Sequence, residues 1–116
     1  MEADNELVIT FVDDGIHLKN IGNKERQFKQ ILPINPSLSG LTVTTSVLCD
    51  NVVGSVHCVL SQVSSPYQNS TTCWLTRAGL FSDSGSVLTG QQKIIIGVAS
   101  GAEITIKAVK LELGDT

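Results

Sequence analysis

The residues that could do acid–base or nucleophilic chemistry are few in this sequence. Its two histidines, His17 and His57, both fall in segments with the alternation of a β-strand. No GxSxG elbow, HExxH helix or phosphate-binding glycine loop accompanies them. Asp13 and Asp14 are adjacent in a turn-forming DDG sequence, where neighbouring side chains generally point apart, so a turn is a better interpretation than a glycosidase carboxylate pair. The sequence therefore predicts no catalytic residue and no enzymatic activity.

The cysteines are the next candidates for chemistry. Cys49, Cys58 and Cys73 make an odd number and contain no CxxC spacing, so neither a disulfide framework nor a zinc site is predicted. Buried free thiols are the favoured interpretation. Asp-containing turns are too sparse to form a recognisable Ca²⁺ ligand set. The sequence therefore indicates no metal-ligating residue and no cofactor, and it leaves open whether Ca²⁺ stiffens a loop.

Aromatic and amide side chains in the middle of the chain are the best candidates for ligand binding. Tyr67 and Trp74 are the only Tyr and Trp, and Gln68 and Asn69 lie between them. Aromatic faces stack on the C–H faces of sugar rings, while amides bond to the hydroxyls, so all four residues are candidate ligand-binding residues. A single Trp in a small sandwich is more often a core residue, which is the interpretation favoured for Trp74. Tyr67 follows Pro66 in a loop and is expected to be exposed.

Length and charge limit the partners. A chain of 116 residues is one domain, predicted here to span residues 1–116. Eight Lys and Arg against eleven Asp and Glu give a formal charge of −3, which argues against nucleic acid and anionic lipid as partners. Apolar runs are only a few residues long, so no membrane insertion is expected, and the start "MEADNELVITFVDDG" lacks the zones of a secretory signal.

Period-two alternation runs through almost the whole chain. "ELVITFV", "DDG" and "IHLKN" predict a hairpin, and "LTVTTSVLC" is predicted to pair with "SVHCVLSQV" through the tight connection "DNVVG". "QFKQIL" and "KIIIGVA" are predicted strands, whereas "SSPYQNSTT" and "SDSGSVLTGQQ" are predicted loop and turn. Seven to nine short strands at this spacing predict an all-β fold, a two-sheet antiparallel jelly-roll-like β-sandwich.

The alternation of apolar and polar residues shifts by one position within the closing segment "GAEITIKAVKLELGDT". Apolar residues alternate in one phase up to Ala108 and in the other phase from Val109. A β-bulge near residues 107–109 explains the change, since one extra residue re-aims the side chains that follow. Lys107, Lys110 and Glu112 are then expected to face solvent, where such charges would protect a terminal strand from edge-to-edge pairing.

Several stretches together resemble a known family. "DGIHLKN", "QFKQILP", "GLTVTTSVLCDNVVGSVHCVL" and "SGAEITIKAVKLELGDT" are similar to β-sandwich modules near the ends of phage and prophage tail-fibre and tail-appendage proteins. The resemblance covers nearly the whole chain, and its more specific motif is the ending IxIxxVKLELG at residues 104–114. It implies a homotrimeric virion component made in the bacterial cytoplasm, excised here from a longer tail fibre, with the architecture of a jelly-roll carbohydrate-binding module.

Three functions therefore compete. The first is host attachment, in which the module binds a bacterial surface polysaccharide, and an exposed aromatic cluster would favour it. The second is trimerisation, capping or assembly of the fibre tip, which a symmetric interface above about 1,000 Å² would favour. The third, an enzyme acting on surface glycans, requires a carboxylate pair in a cleft. The first two rank close together and ahead of the third.

Overall fold

The computed structural model describes residues 2–3, 6–31, 41–62, 69–86 and 92–113, and all regular secondary structure in these ranges is β-strand. None of the described residues forms a helix long and apolar enough to cross a membrane. The ten strands are β1 (Glu2–Ala3), β2 (Leu7–Val12), β3 (Gly15–Asn20), β4 (Arg26–Ile31), β5 (Thr42–Val53), β6 (Val56–Gln62), β7 (Asn69–Trp74), β8 (Gly79–Ser86), β9 (Gln92–Val98) and β10 (Glu103–Leu113).

The strands form two five-stranded antiparallel sheets. Sheet one has the order β1-β4-β9-β6-β7, and sheet two has the order β2-β3-β10-β5-β8. The last two strands of the chain are thus the central strands of the two sheets. This arrangement confirms the predicted two-sheet, jelly-roll-like β-sandwich.

Alternating side chains from both sheets build the core between them. In β6 the residues of one parity, Val56, Cys58 and Leu60, are all buried, as the alternation predicts. All three cysteines are buried free thiols, which confirms the interpretation of their odd number and spacing. The core members with no exposed surface are Leu18, Val47, Cys58, Leu60, Leu75, Val98, Ala102 and Ile104.

The predicted hairpin and bulge are both confirmed. Val12 pairs with Gly15, so Asp13 and Asp14 form the turn between β2 and β3. In β10, Ile106 pairs with Cys49 and Ala108 pairs with Leu48, which leaves Lys107 as the extra residue. The residues of β10 that face the core therefore have even numbers before the bulge and odd numbers after it.

The expectation that β10 has an exposed edge is wrong only for the first half of the strand. This half lies between β3 and β5, where Glu103, Thr105 and Ile106 pair on both sides. Among the described residues, residues 108–113 pair with β5 alone. The bulged Lys107 lies at the surface and pairs with two exposed carboxylates, with its Nζ 3.1 Å from Asp14 Oδ2 and 3.7 Å from Asp50 Oδ2. The exposed charge is Lys110, whose Nζ lies 3.5 Å from Glu112 Oε2.

The predicted pairing of β5 with β6 is also wrong, because the two strands belong to different sheets. β5 pairs with β10 and β8, whereas β6 pairs with β9 and β7. Asn51 and Gly54 have left-handed backbone, with φ of 51° and 79°, where the chain passes from one sheet to the other. Asp, Asn and Gly suit this crossing for the same reason that they suit a hairpin turn, so their presence could not separate the two.

The two segments predicted as loop and turn are partly strands. Asn69–Trp74 forms β7, and Gly79–Ser86 forms β8. Outward-facing serines of β8 bond to β5, with Ser84 Oγ 2.7 Å from Thr44 Oγ1 and Ser46 Oγ 3.0 Å from Ser82 Oγ. The Thr72 amide donates to Asp83 Oδ2 at 2.8 Å, which joins the adjacent edges of the two sheets. Polar side chains thus stabilise strands that lack a strong apolar pattern.

Candidate functional site

A cleft of about 490 Å³ lies on the outer face of sheet one, on the side away from the core. It crosses the four strands β4, β9, β6 and β7, and its walls are their outward-facing side chains. The lining residues are Gln27, His57, Val59, Ser61, Thr72, Trp74, Lys93 and Ile95.

Strand register arranges this face in three rows that run across the sheet. Successive outward residues of a strand are about 7 Å apart, so the rows together extend about 13 Å along the strands. The first row holds Gln27, Gly97, His57 and Trp74, the second Ile95, Val59 and Thr72, and the third Lys93 and Ser61.

Trp74 is the largest exposed side chain of the cleft, with 58% of its surface accessible. The expectation that it belongs to the core is wrong. Alternation in β7 turns Cys73 inward, and Leu75 just beyond the strand is fully buried, so the core on either side of Trp74 is already filled. The indole instead lies against His57, with 5.2 Å between the ring centroids and 53° between the planes.

His57 owes its position to a glycine in the neighbouring strand. Its imidazole covers Gly97, where an added β-carbon would lie 2.5 Å from His57 Nε2. Glu25 Oε1 is 3.7 Å from His57 Nδ1. The glycine thus allows the ring to approach the sheet and to complete an aromatic pair at one end of the cleft.

The rest of the cleft changes from apolar to polar along the strands. Val59 and Ile95 form a nearly buried apolar floor in the second row. Ser61 and Lys93 lie in the third row, and Lys93 is the single formally charged side chain among the described residues that line the cleft. An aromatic pair, an apolar floor and a polar end suit a ligand that has both C–H faces and hydrogen-bonding groups.

A second cavity, of about 430 Å³, lies between the sheets beside the start of β3. Ile16, Phe28, Ile94 and Leu111 contribute to a lining that is mostly apolar. Lys107 reaches this cavity but is already bound to carboxylates of Asp14 and Asp50. With few polar groups to orient a ligand, this cavity is a weaker candidate than the outer cleft.

The other histidine, His17, lies on sheet two and joins strands together. Its Nδ1 is 2.8 Å from Thr105 Oγ1, and its Nε2 is 3.0 Å from Glu103 Oε2. Thr105 is buried, and its hydroxyl oxygen also accepts a hydrogen bond from Asn51 Nδ2 at 3.3 Å. Since the hydroxyl is buried and bonded on two sides, this network holds β3, β5 and β10 in register.

Comparison with solved structures agrees with this description of the fold. A solved carbohydrate-binding module, CBM4, superimposes with a TM-score of 0.63 and 13% identity, over 93% of this chain and 78% of that chain. The chain therefore has a β-sandwich fold like that of a carbohydrate-binding module. A Clostridium stercorarium module, CsCBM6-3 in complex with cellobiose, matches 97% of this chain and 85% of that chain, with a TM-score of 0.49 and 16% identity.

No protein-family model matches the sequence. A search of curated proteins likewise finds no significant match.

The structure describes two of the four predicted ligand-binding residues. Trp74 lines the cleft, and Asn69 is the first residue of β7, where its backbone is in register with Ser61 of β6. Tyr67 and Gln68 lie outside the described residues.

Sequence reasoning missed His57, Gln27 and Lys93, which come from three different strands. The alternation of β6 contained a signal for His57, since a buried parity of Val56 and Cys58 places His57 on the opposite face. The sequence contained no comparable signal for Gln27 or Lys93, because their place in the cleft depends on which strands pair.

Proposed function

We propose that this chain is a non-catalytic carbohydrate-binding module that holds an oligosaccharide in the cleft on the outer face of sheet one. The observation that carries this proposal is the exposed Trp74, paired with His57 above an apolar floor. Exposed tryptophan is costly to leave in water, and its face suits the C–H face of a sugar ring. The likeness in fold to a carbohydrate-binding module supports the same function.

The shape of the cleft favours an oligosaccharide over a single sugar. One ring would stack on Trp74 in the first row, and the chain would extend over Val59 and Ile95 towards Ser61 in the third row. The three rows extend about 13 Å, which is longer than one pyranose ring. Hydroxyl and amide groups along the rows would bond to the sugar hydroxyls.

The biological setting that we propose is host attachment by a phage or prophage tail fibre or tail appendage. The sequence resemblance, above all the ending IxIxxVKLELG at residues 104–114, supports it. The ligand would be a bacterial surface polysaccharide, and the module would be part of a longer homotrimeric fibre, made in the bacterial cytoplasm and carried on the virion. Several copies on one particle would offset weak binding at each site.

A glycan array followed by titration tests carbohydrate binding. Trp74 is the only tryptophan, so its fluorescence should change when an oligosaccharide occupies the cleft. Trp74→Ala should weaken binding about tenfold, as measured by calorimetry. The loss of an aromatic stacking partner costs up to about 1.4 kcal/mol of binding free energy, which corresponds to this factor.

The matched control removes an exposed aromatic side chain from the other sheet. Phe11 is 81% exposed and lies on β2 of sheet two. Phe11→Ala should bind the same oligosaccharides as the wild-type protein. If Trp74→Ala binds as well as Phe11→Ala, or if no glycan binds the wild-type protein, the proposal is wrong.

A second candidate function, assembly of the fibre tip, has its own observation. Leu80, Leu48 and Ala108 are neighbours on three paired strands of sheet two, and all three are exposed. An apolar row of this kind is suited to burial between subunits. Light scattering after size exclusion should show a trimer that Leu80→Lys converts to a monomer. A monomeric wild-type protein would exclude this surface as a sufficient trimer interface.

A further inference from the structure

The outer edge of β2 is a surface on which a further strand could add to sheet two. β2 is the end strand of this sheet, and among the described residues it pairs with β3 alone. We propose that this edge binds β2 of a second copy of the chain, in antiparallel orientation across a two-fold axis at Thr10. The two copies would then share one continuous sheet.

Backbone groups of β2 point towards the open edge at every second residue. The Ile21 amide donates to the Glu6 carbonyl at 3.0 Å, in the same register as the pairs between β2 and β3. Hydrogen-bonded pairs alternate along an antiparallel ladder, so the even-numbered residues of β2 bond to β3. The amides and carbonyls of the odd-numbered residues, Leu7, Ile9 and Phe11, therefore point to the open edge, where an added strand can bond to them.

The other edge strands that the structure describes have features that hinder an added strand. β1 has two residues. β7 carries Ser70 as an extra residue in its pairing with β6, and the Asp83 carboxylate of β8 accepts from the Thr72 amide, which joins the edges of β7 and β8. β2 has six residues in unbroken register, with no charge, proline or glycine among them. An added strand therefore meets the least hindrance at β2.

A second copy fits this edge because the strand sequence LVITFV complements itself. With Thr10 opposite Thr10 of the second copy, Val8 lies opposite Val12 and Ile9 lies opposite Phe11. Val8, Phe11 and Val12 are 43%, 81% and 41% exposed, so each of these exposed apolar side chains gains an apolar neighbour. Ile9 and Phe11 form the hydrogen-bonded pairs, as the direction of their backbone groups requires.

Charge is confined to the two ends of the paired strands. β2 itself carries none, so its residues meet those of a second copy without repulsion. Glu6 lies opposite Asp14 of the second copy, and each already forms an ion pair within its own chain. Two further carboxylates, those of Asp4 and Asp13, are within three residues of the strand in the sequence. Salt screens such repulsion, so the pairing should strengthen as the salt concentration rises.

The pairing would place the two clefts on one side of the dimer. Residues of equal parity lie opposite each other, so both cores lie on the same side of the joined sheet. The outer faces of the two copies of sheet one then point in the same direction, and both clefts can contact one surface. Bivalent attachment of this kind rests on the proposed function, whereas the pairing itself does not.

Crosslinking of Thr10→Cys tests the pairing. The two introduced cysteines would face each other in a pair without hydrogen bonds, where α-carbons are about 4.5 Å apart, within the range of a disulfide. Oxidised glutathione should therefore join two chains, which a non-reducing denaturing gel shows as a doubled mass. The native cysteines are buried. The control Ser86→Cys places an exposed thiol on β8, the other edge of sheet two, and should crosslink at least about tenfold more slowly because only random collisions join it.

Sedimentation equilibrium measures the same contact without a crosslink. A pair of short strands forms a small interface, typical of weak association, so the concentration series extends to about 1 mM. The average mass of the wild-type protein should rise with concentration. Thr10→Lys should reduce the rise, because two lysines would face each other in the pair. Ser86→Lys should behave as the wild-type protein does.

Three results would overturn the pairing. They are equal crosslinking rates for Thr10→Cys and Ser86→Cys, a wild-type mass that does not rise with concentration, and identical mass curves for the wild-type protein and Thr10→Lys. None of these measurements involves a glycan, so the carbohydrate-binding function can fail while the pairing stands, and the pairing can fail while that function stands.

Discussion

The imidazole of His57 covers Gly97, its cross-strand partner in β9. While the imidazole occupies this position, residue 97 has room only for hydrogen, since an added β-carbon would lie 2.5 Å from His57 Nε2. The ring can therefore approach the sheet beside Trp74, with 5.2 Å between the two centroids. The shape of the aromatic end of the cleft thus depends on a glycine as much as on the two aromatic rings.

Gly97→Ala should weaken oligosaccharide binding more than it changes stability. The new methyl group would push the imidazole away from the sheet and disturb its contact with Trp74, which we expect to cost about 1 kcal/mol of binding free energy. In the folded protein, the strain is partly offset because alanine reduces the conformational freedom of the unfolded chain. Calorimetric titration and thermal unfolding of the same variant measure the two effects.

A double-mutant cycle supplies the control for this prediction. In a His57→Ala background the added methyl group meets no ring, so Gly97→Ala should no longer affect binding. An equal loss in both backgrounds would show that residue 97 does not act through His57.

The sequence predicted the faces of single strands better than it predicted their neighbours. Alternation placed Val56, Cys58 and Leu60 on the inner face of β6, where they are buried. It could not show that β6 lies between β9 and β7, because the "DNVVG" connection suits a hairpin and a crossing between sheets equally well. The cleft is made by residues from four strands, so it became visible only with the strand order.

Trp74 shows a second limit of the sequence. Cys73, Trp74 and Leu75 are three successive apolar residues, so alternation alone does not decide which of them face inward. Average burial favoured the larger Trp74 as the core residue. The structure instead buries Cys73 and Leu75 and leaves the indole on the surface, because the space between the sheets is already filled there.

Ile106→Asp should unfold the domain or nearly so. Ile106 is 7% exposed and lies in the core immediately before the bulge of β10. Burying an unpaired carboxylate there should lower the free energy of unfolding by about 3–5 kcal/mol. Urea denaturation followed by circular dichroism measures the change. Lys110→Gln on the exposed side of the same strand should shift it by less than about 0.5 kcal/mol, and a wild-type midpoint for Ile106→Asp would show that β10 is not core.

The bulge should make stability depend on pH in the alkaline range. Lys107 donates a hydrogen bond to Asp14, and this bond together with the negative charge of Asp14 raises the pKa of Lys107 above the ordinary lysine value of 10.5. The carboxylate of Asp50 raises the pKa of Lys107 further. A raised pKa means that the folded state holds the proton more tightly than the unfolded chain. The stabilisation is therefore fully present below about pH 10.5 and is lost as the pH rises through the higher folded value.

Lys107→Met removes the stabilisation that the protonated Lys107 gives to the folded state. The urea midpoint of the variant should therefore be lower than that of the wild-type protein at pH 8, and the two midpoints should converge in the alkaline range. Comparing the two proteins at each pH cancels the titration of other groups. In an Asp14→Asn background the pH-dependent difference should become smaller, because the carboxylate that contributes most to the raised pKa is gone. A difference that stays constant from pH 8 to strongly alkaline pH would contradict the linkage.

The Cys58 thiol should be protected from alkylation in the folded protein. Burial, with a smaller contribution from Cys73, raises the pKa of Cys58 from 9.0 to about 12, so the reactive thiolate is scarce near pH 9. Iodoacetamide labelling analysed by peptide mass spectrometry should modify Cys58 only when denaturant is present. The folded state also loses the stability linked to this thiol as the pH rises from about 9 towards 12, because only the unfolded chain releases the proton in that range. Labelling of Cys58 at the same rate with and without denaturant would mean that the core between the sheets opens freely.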